Sequence, residues 1–321
     1  MPRPLVGVLV VALLVGGCST KDPDRPAPSP VSSASTTPGE AEEPEARPAP
    51  PTVTAQPDPQ PVRPADFDVR HAQRAVRHLA GRIGSRHGTS PAFRRAVDWV
   101  TRELESQGYR VERQVFDAPA GVSWGVPVPA GRSVNVVARP PGLATTDPHV
   151  VVGAHLDTVP RAPGAEDNGS GIGVLLAAAA ATADRETRLP IMWVAFGAEE
   201  PRGPTDADHH YGSRAYVDSL GPAQRRAVRA MVALDRVGVG DRVPVGSTGE
   251  SDPVQQALLR AAERAGVPTT PDPFQRSSDH WSFVRAGLPG ARLGSTPFAG
   301  YHSAGDVPSV VDTEQLERVG R

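Results

Sequence analysis

The chain has 321 residues, of which 38% are hydrophobic, 22% charged and 5% aromatic, enough for one or two domains with a sizeable core. Its 34 basic and 36 acidic residues leave a formal net charge of −2, which argues against nucleic acid as a partner, because phosphate binding wants a concentrated basic surface. A single cysteine, Cys18, excludes an intramolecular disulfide and a thiolate-based zinc site.

The chain opens with a charged start and an apolar run over residues 5–15. That run is too short to cross about 30 Å of hydrocarbon, and its layout is that of a secretory signal. Leu14-Val15-Gly16-Gly17 directly before Cys18 resembles a bacterial lipobox. The resemblance implies a signal peptide over residues 1–17, acylation of Cys18, and anchoring to the outer side of the cell membrane. An ordinary signal peptide with an incidental cysteine is the plainer alternative. Residues 18–65 are dense in proline, serine, threonine and alanine, with no apolar periodicity. Such a segment cannot bury enough surface to offset its ordering entropy and reads as an extended tether. A proline-rich ligand for a partner domain is the sharper alternative.

Residues 66–321 have globular composition. Helical spacing runs over 71–82, with Ala72, Val76, Leu79 and Ile83 on one face. Ser90-Pro91 reads as an N-cap and first helical position. Phe93, Val97, Val100 and Leu104 then share a face, and Gly108 ends the helix. Residues 109–116 alternate like a half-buried strand. Residues 133–138, 150–154 and 191–196 read as buried strands. Residues 169–183 read as an alanine-rich helix, and 226–234 as a segment ending in a strand. Residues 253–265 read as a helix, 282–286 as part of a short helix, and a last helix begins near Thr313. Strands alternating with helices predict a single α/β domain of three layers, α/β/α, with a mostly parallel mixed sheet.

Acidic and histidine residues fall just past the C-terminal ends of these strands: His155 and Asp157, Glu199 and Glu200, Asp235. Ligand sites of open α/β sheets lie at that edge. With Asp167 and His302, the candidate ligands His155, Asp167, Glu200, Asp235 and His302 are all nitrogen and oxygen donors. This suits zinc or a similar divalent ion. Five groups are too many for one tetrahedral ion that keeps an open position; they suit two ions sharing a carboxylate and a water. Each group also has a structural reading: a satisfied histidine at a strand end, a solvated acidic loop, a helix cap.

The motifs VVVGAHLDTVP (150–160), PGAEDNGSGIGVLL (163–176), VAFGAEE (194–200), MVALDRVG (231–238), SSDHWSF (277–283) and GYHSAGD (300–306) resemble those of the di-zinc exopeptidases of the bacterial leucyl aminopeptidase and aminopeptidase Y type. Residues 83–116 are similar as well, so the likeness covers nearly all of 66–321. It implies a zinc-exopeptidase fold and a metallo-aminopeptidase that releases N-terminal residues from peptides or proteins, by attack of a hydroxide bridging two zinc ions per chain. His155 and Asp235 would bind one ion, Glu200 and His302 the other, and Asp167 both. Glu199 would be the general base. Asp157 would hold the His155 imidazole in its tautomer. Tyr301 would polarise the scissile carbonyl or stabilise its oxyanion, with simple packing as its alternative. The chain is read as a monomer.

His209-His210 read as loop residues in a polar insertion over 201–210. Asp279 and His280 match a segment beside the substrate pocket, which Trp281 and Phe283 either shape or merely pack under. Asp306 is expected to support His302. His71, His78 and His87 read as surface or helix residues. Glu166, in place of the commoner Asp, and Arg236, in place of an apolar residue, depart from the family pattern; Arg236 bears on the substrate terminus or the metal charge. The loop after Glu200 is long. The chain ends soon after the last helix, which puts the domain's stability in question. Two competing functions remain: a glutaminyl cyclase-like, single-zinc acyltransferase on the same fold, and an inactive lipoprotein that binds peptides or metal.

Overall fold

A computed structural model describes residues 60–321. The signal, Cys18 and most of the tether lie outside the described residues. Folded contacts begin earlier than composition indicates: Glu186 donates its N–H to the Gln60 carbonyl at 2.9 Å and accepts from Val62 N–H at 3.2 Å. Residues 60–65 therefore lie against the domain.

In chain order the elements are α1 (Val69–Val76), α2 (Pro91–Ser106), β1 (Arg110–Ala118), β2 (Gly121–Ser123), β3 (Val126–Val128), β4 (Gly131–Arg139), β5 (His149–His155), α3 (Gly171–Thr182), β6 (Ile191–Phe196), α4 (Tyr211–Ser219), α5 (Pro222–Ala227), β7 (Val228–Leu234), β8 (Val243–Gly246), α6 (Pro253–Ala265), β9 (Thr269–Asp272), α7 (His280–Arg285), β10 (Gly290–Leu293) and α8 (Thr313–Gly320). Eight strands form one sheet in the order β1-β4-β6-β5-β7-β10-β8-β9, and β2-β3 form a separate hairpin. The centre, β6-β5-β7-β10, is parallel. On one flank β1 and β4 run antiparallel to their neighbours, and on the other β8 runs antiparallel to β10.

The local signals explain most of these elements. Ser90 Oγ accepts the Phe93 N–H at 3.0 Å, Pro91 starts α2, and Phe93, Ala96, Val97, Val100 and Leu104 are its buried face. Helix α3 is apolar on every side and is buried between α1 and the sheet. Gly173 makes that packing possible: a Cβ there would lie 2.7 Å from the Ala72 carbonyl oxygen of α1. The helices α1, α2, α3, α6 and α8 share one core with that sheet face. On the other face Val151, Met192, Val194, Phe196 and Met231 meet Tyr216, Val217 and Phe283 from α4 and α7. The architecture is thus three-layered, as expected.

The boundaries sharpen the sequence reading. Arg226 and Ala227 close α5, and the strand begins at Val228. Helix α7 starts at His280, and α1 continues through a wide π-type turn to Ile83. Strand β1 is an edge strand and more exposed than a half-buried one. The last helix is firmly docked: Leu316 is fully buried, and Gln315 Nε2 donates to the Arg242 carbonyl at 2.8 Å.

Candidate metal centre

Four neighbouring parallel strands end on the same edge of the sheet, and three deliver acidic or histidine side chains there. His155 ends β5, Glu199 and Glu200 follow β6, and Asp235 follows β7. Asp167 comes from the turn before α3, and His302 from the loop after β10. All six are buried.

Asp167 lies between the two imidazoles. Its Oδ1 is 3.1 Å from His155 Nε2 and its Oδ2 is 2.9 Å from His302 Nε2. Asp235 Oδ1 is 3.7 Å from His155 Nε2, and Glu200 Oε2 is 3.3 Å from His302 Nε2. Two groups result, each able to converge on one ion: His155, Asp167, Asp235 and Asp167, Glu200, His302. Glu199 belongs to neither, with Oε2 3.9 Å from His155 Nε2. The donors are imidazole nitrogen and carboxylate oxygen, the set that zinc accepts. His302 Nδ1 has no partner among the described residues.

The electrostatics follow from crowding carboxylates away from water. Burial pushes Glu199 up to about 8, and Asp235, Asp157 and Asp167 add to the rise against His155. Glu200 rises to about 8 for the same first reason, with His302 opposing. Burial would lower His302, but Glu200 and Asp167 lift it to about 10. Burial would raise Asp167, yet hydrogen bonds from both histidines hold it far below the usual carboxylate range. Asp279 is buried beside this cluster, neither carboxylate oxygen has a partner among the described residues, and burial lifts it to about 7. So dense a negative cluster fits cations.

Supporting residues hold the set in place. The Asp157 carboxylate accepts the N–H groups of Glu199 at 3.0 Å and Glu200 at 3.3 Å. It is the Asp157 carbonyl that faces His155 Nδ1, at 3.2 Å, while the carboxylate stays 3.9 Å away. Its side chain thus anchors the Glu199-Glu200 turn, and its main chain sets the imidazole. Asp306 departs from expectation too. It accepts the N–H of Glu166 at 2.7 Å and of Asp167 at 3.1 Å, and so supports the shared carboxylate rather than His302. Glu166 accepts the Gly238 N–H through both oxygens.

Sequence reasoning missed three residues here. Arg86 is fully buried, and its guanidinium donates to the carbonyls of Leu156 (2.7 Å), Pro163 (2.7 Å) and Gly164 (3.0 Å), tying down the segment between His155 and Asp167. His210, expected in an open loop, is buried with Nε2 3.1 Å from Glu199 Oε1. Its N–H also donates to the Glu199 carbonyl at 2.9 Å. The insertion therefore folds back on the site. Trp124, in the β2-β3 turn, sets its ring 4.5 Å from that of His302. Arg202, at the start of the insertion, fixes this hairpin by donating to the carbonyls of Pro119 (2.7 Å) and Pro129 (3.0 Å). A Trp-Gly pair between short alternating runs was the available signal. Tyr301 stacks on His302 with ring centroids 3.7 Å apart and is 40% exposed. Phe283 packs in the core, and His280 is buried against the Gln275 carbonyl. His78 stacks on Trp99, away from the site.

The family model Peptidase family M28 matches residues 135–321, more than half of the chain. The chain belongs to peptidase family M28. Aminopeptidase YwaD of Bacillus subtilis is 32% identical over 182 residues, covering 53% of this chain and 38% of that protein. The chain spans about half the length, or less, of the curated relatives it matches. The fold is similar to that of BSAP, a zinc aminopeptidase from Bacillus subtilis, with TM-score 0.70 and 20% identity over 79% of this chain and 92% of that one. It is also similar to Porphyromonas gingivalis glutaminyl cyclase, with TM-score 0.66 and 22% identity over 79% and 95%. The M28 fold alone therefore does not choose between these two chemistries.

Proposed function

We propose that this M28 peptidase is a zinc-dependent aminopeptidase with two zinc ions, held outside the cytoplasmic membrane by a lipid on Cys18. The observation that carries the metal reading is Asp167, shared by two complete three-residue groups within one buried site. His155 and Asp235 would hold one ion, Glu200 and His302 the other. When bound, the zinc supplies a Lewis acid for the scissile carbonyl and acidifies a water towards neutrality. Glu199 stands free of both groups. It takes a proton from the attacking water and delivers it to the leaving amine. His210 Nε2 lies 3.1 Å from Oε1 of Glu199, while Oε2 faces the metal groups. Asp157 holds the Glu199 and Glu200 amides in register. Tyr301 lies at the rim, where its hydroxyl serves the carbonyl oxygen. No acyl-enzyme forms.

An N-terminal substrate fits this site better than an internal peptide bond. The cavity is about 120 Å³ and is walled by Trp124, Pro201, His209, Arg236 and Tyr301. The carboxylate of Glu199 lines this cavity outside both metal groups and favours an α-ammonium nearby. The cyclase reading has the fold in its favour, but it needs only one ion and leaves the second group without a role.

Metal content of the purified protein, measured with hydrolysis of an aminoacyl-anilide panel with and without chelator, tests this. About two zincs per chain and chelator-sensitive release of N-terminal residues are expected. One zinc, with cyclisation of N-terminal glutamine and no anilide hydrolysis, replaces this reading with the cyclase. The anchor rests on the Leu14–Cys18 motif alone. Among the described residues no helix is long and apolar enough to cross a membrane. Cys18→Ser should move the protein from the membrane to the soluble fraction, and unchanged fractionation refutes lipidation.

A further inference from the structure

Arg236 is the only arginine lining the metal-site cavity among the described residues. It follows Asp235 directly at the exit of β7. Its main chain is held on both sides: the N–H donates to Asn168 Oδ1 at 3.2 Å, and the carbonyl accepts from Ser295 N–H at 2.9 Å. Its φ of 55° is a left-handed conformation that a non-glycine residue adopts only when its surroundings impose it. The guanidinium lies over the Tyr301 ring, 4.4 Å from the centroid.

What sets Arg236 apart from the most buried arginines is a guanidinium that makes no hydrogen bond to the described residues. The three most buried arginines all direct their guanidinium groups to protein acceptors. Arg86 and Arg202 bond carbonyls, and Arg292 bonds Ser277 Oγ at 2.8 Å and Gln275 Oε1 at 3.1 Å. Among the described residues, the Arg236 side chain makes no hydrogen bond. Its nearest carboxylate oxygen, Asp235 Oδ1, is 3.9 Å away, and Asp235 belongs to a metal group. The side chain is only 16% exposed. The contact with Tyr301 holds the guanidinium at the cavity wall, and its N–H groups make no hydrogen bond to the described residues. A planar fork of that kind matches one ligand chemistry above others, a carboxylate taken bidentately.

We infer that Arg236 is a specificity-determining residue that binds a carboxylate of the substrate. This rests on the aminopeptidase reading and names a substrate class within it. Two sources carry the same chemistry: the side chain of an N-terminal aspartate or glutamate, and the free α-carboxylate of a dipeptide.

The zinc-loaded full chain is assayed on two matched pairs: glutamyl- against glutaminyl-anilide, and Leu-Gly as free acid against Leu-Gly amide. In the wild type, the carboxylate member of one pair is expected to have a kcat/KM at least about tenfold higher, and that pair identifies the source. Arg236→Gln should bring the preference close to one, while Arg236→Lys retains part of it. Calorimetric binding of glutamate against glutamine, and of Leu-Gly against its amide, supplies a readout free of turnover and should change in parallel. A melting curve for each variant separates lost recognition from lost folding, and the lysine variant carries the test if the glutamine variant is unstable. Ratios near one in both pairs, or a preference that survives Arg236→Gln, overturn the inference and leave the aminopeptidase reading intact. If the wild type cleaves none of the four substrates, that reading fails, and the binding comparison still decides for or against Arg236.

Discussion

The site has two unlike halves. His155, Glu199, Glu200 and Asp235 stand on the exits of parallel strands at the centre of the sheet. Trp124, Arg236 and His302 line the same cavity and His210 lies beside Glu199, all four with left-handed backbones, at φ of 48°, 55°, 50° and 57°. The strand-exit half obtains its geometry from the sheet: three adjacent strands of one direction place their ends side by side, and any side chain there is aimed by hydrogen-bonded backbone. The loop half obtains its geometry from contacts between segments far apart in sequence, strong enough to hold non-glycine residues in a costly conformation. The first half assembles the chemistry, and the second shapes what surrounds it.

Variants on either side should separate these contributions. Asp167→Asn should have the largest effect, because one carboxylate serves both metal groups. Loss of bound zinc and a fall in kcat/KM on the order of 10³-fold are expected, the equivalent of several kcal/mol of lost carbonyl polarisation. A variant that keeps both metals and full rate would break the shared-ligand assignment. Glu199→Gln should keep zinc by metal analysis and lose roughly 10²–10⁴-fold in kcat, the range for a general base; unimpaired turnover would remove Glu199 from that role.

On the loop side the effects should be smaller and differently divided. His210→Ala should lower kcat by about tenfold with zinc content and KM little changed, a loss of positioning within the range for groups that orient a reacting residue. His210→Asn, which restores a donor, should recover part of it. The same substitution in a Glu199→Gln background should cost little more, since its target carboxylate is gone; an undiminished second loss would show that His210 acts elsewhere. Trp124→Ala should act mainly on KM, by roughly tenfold, consistent with about 1–3 kcal/mol for apolar contact in a pocket. A fall confined to kcat would mean that Trp124 acts through the His302 ring rather than on the substrate.

The difference between the halves is also a difference in legibility. The apolar runs ending in His155, Glu199-Glu200 and Asp235 announce a strand and a polar exit together, because burial of a strand and the chemistry at its end are both written locally. The alternatives of a satisfied histidine or a solvated acidic loop give way once these groups are found buried within one cavity. His210 carried no such mark. Its neighbour His209 and the polar composition of 201–210 read as solvent-facing loop, and only the return of the chain onto Ala198 and Glu199, through the N–H groups of Tyr211 and His210, brings the imidazole to the carboxylate. Asp157 and Asp306 teach the same in smaller compass: their positions in the motifs were plain, but which atoms they hold was not.

From its sequence alone this protein was determined as an α/β domain with a nitrogen- and oxygen-donor site at the C-terminal edge of a parallel sheet. Periodicity records which residues face the core, and donor type restricts which ions can bind. The tertiary structure alone decided that Arg86 ties down the ligand segment, that His210 faces Glu199, that Trp124 and Tyr301 flank His302, and that the Arg236 side chain makes no hydrogen bond to the described residues. Each of these depends on where a loop comes to rest. That is settled by buried bonds between distant segments, such as those of Arg202, which leave no period in the sequence.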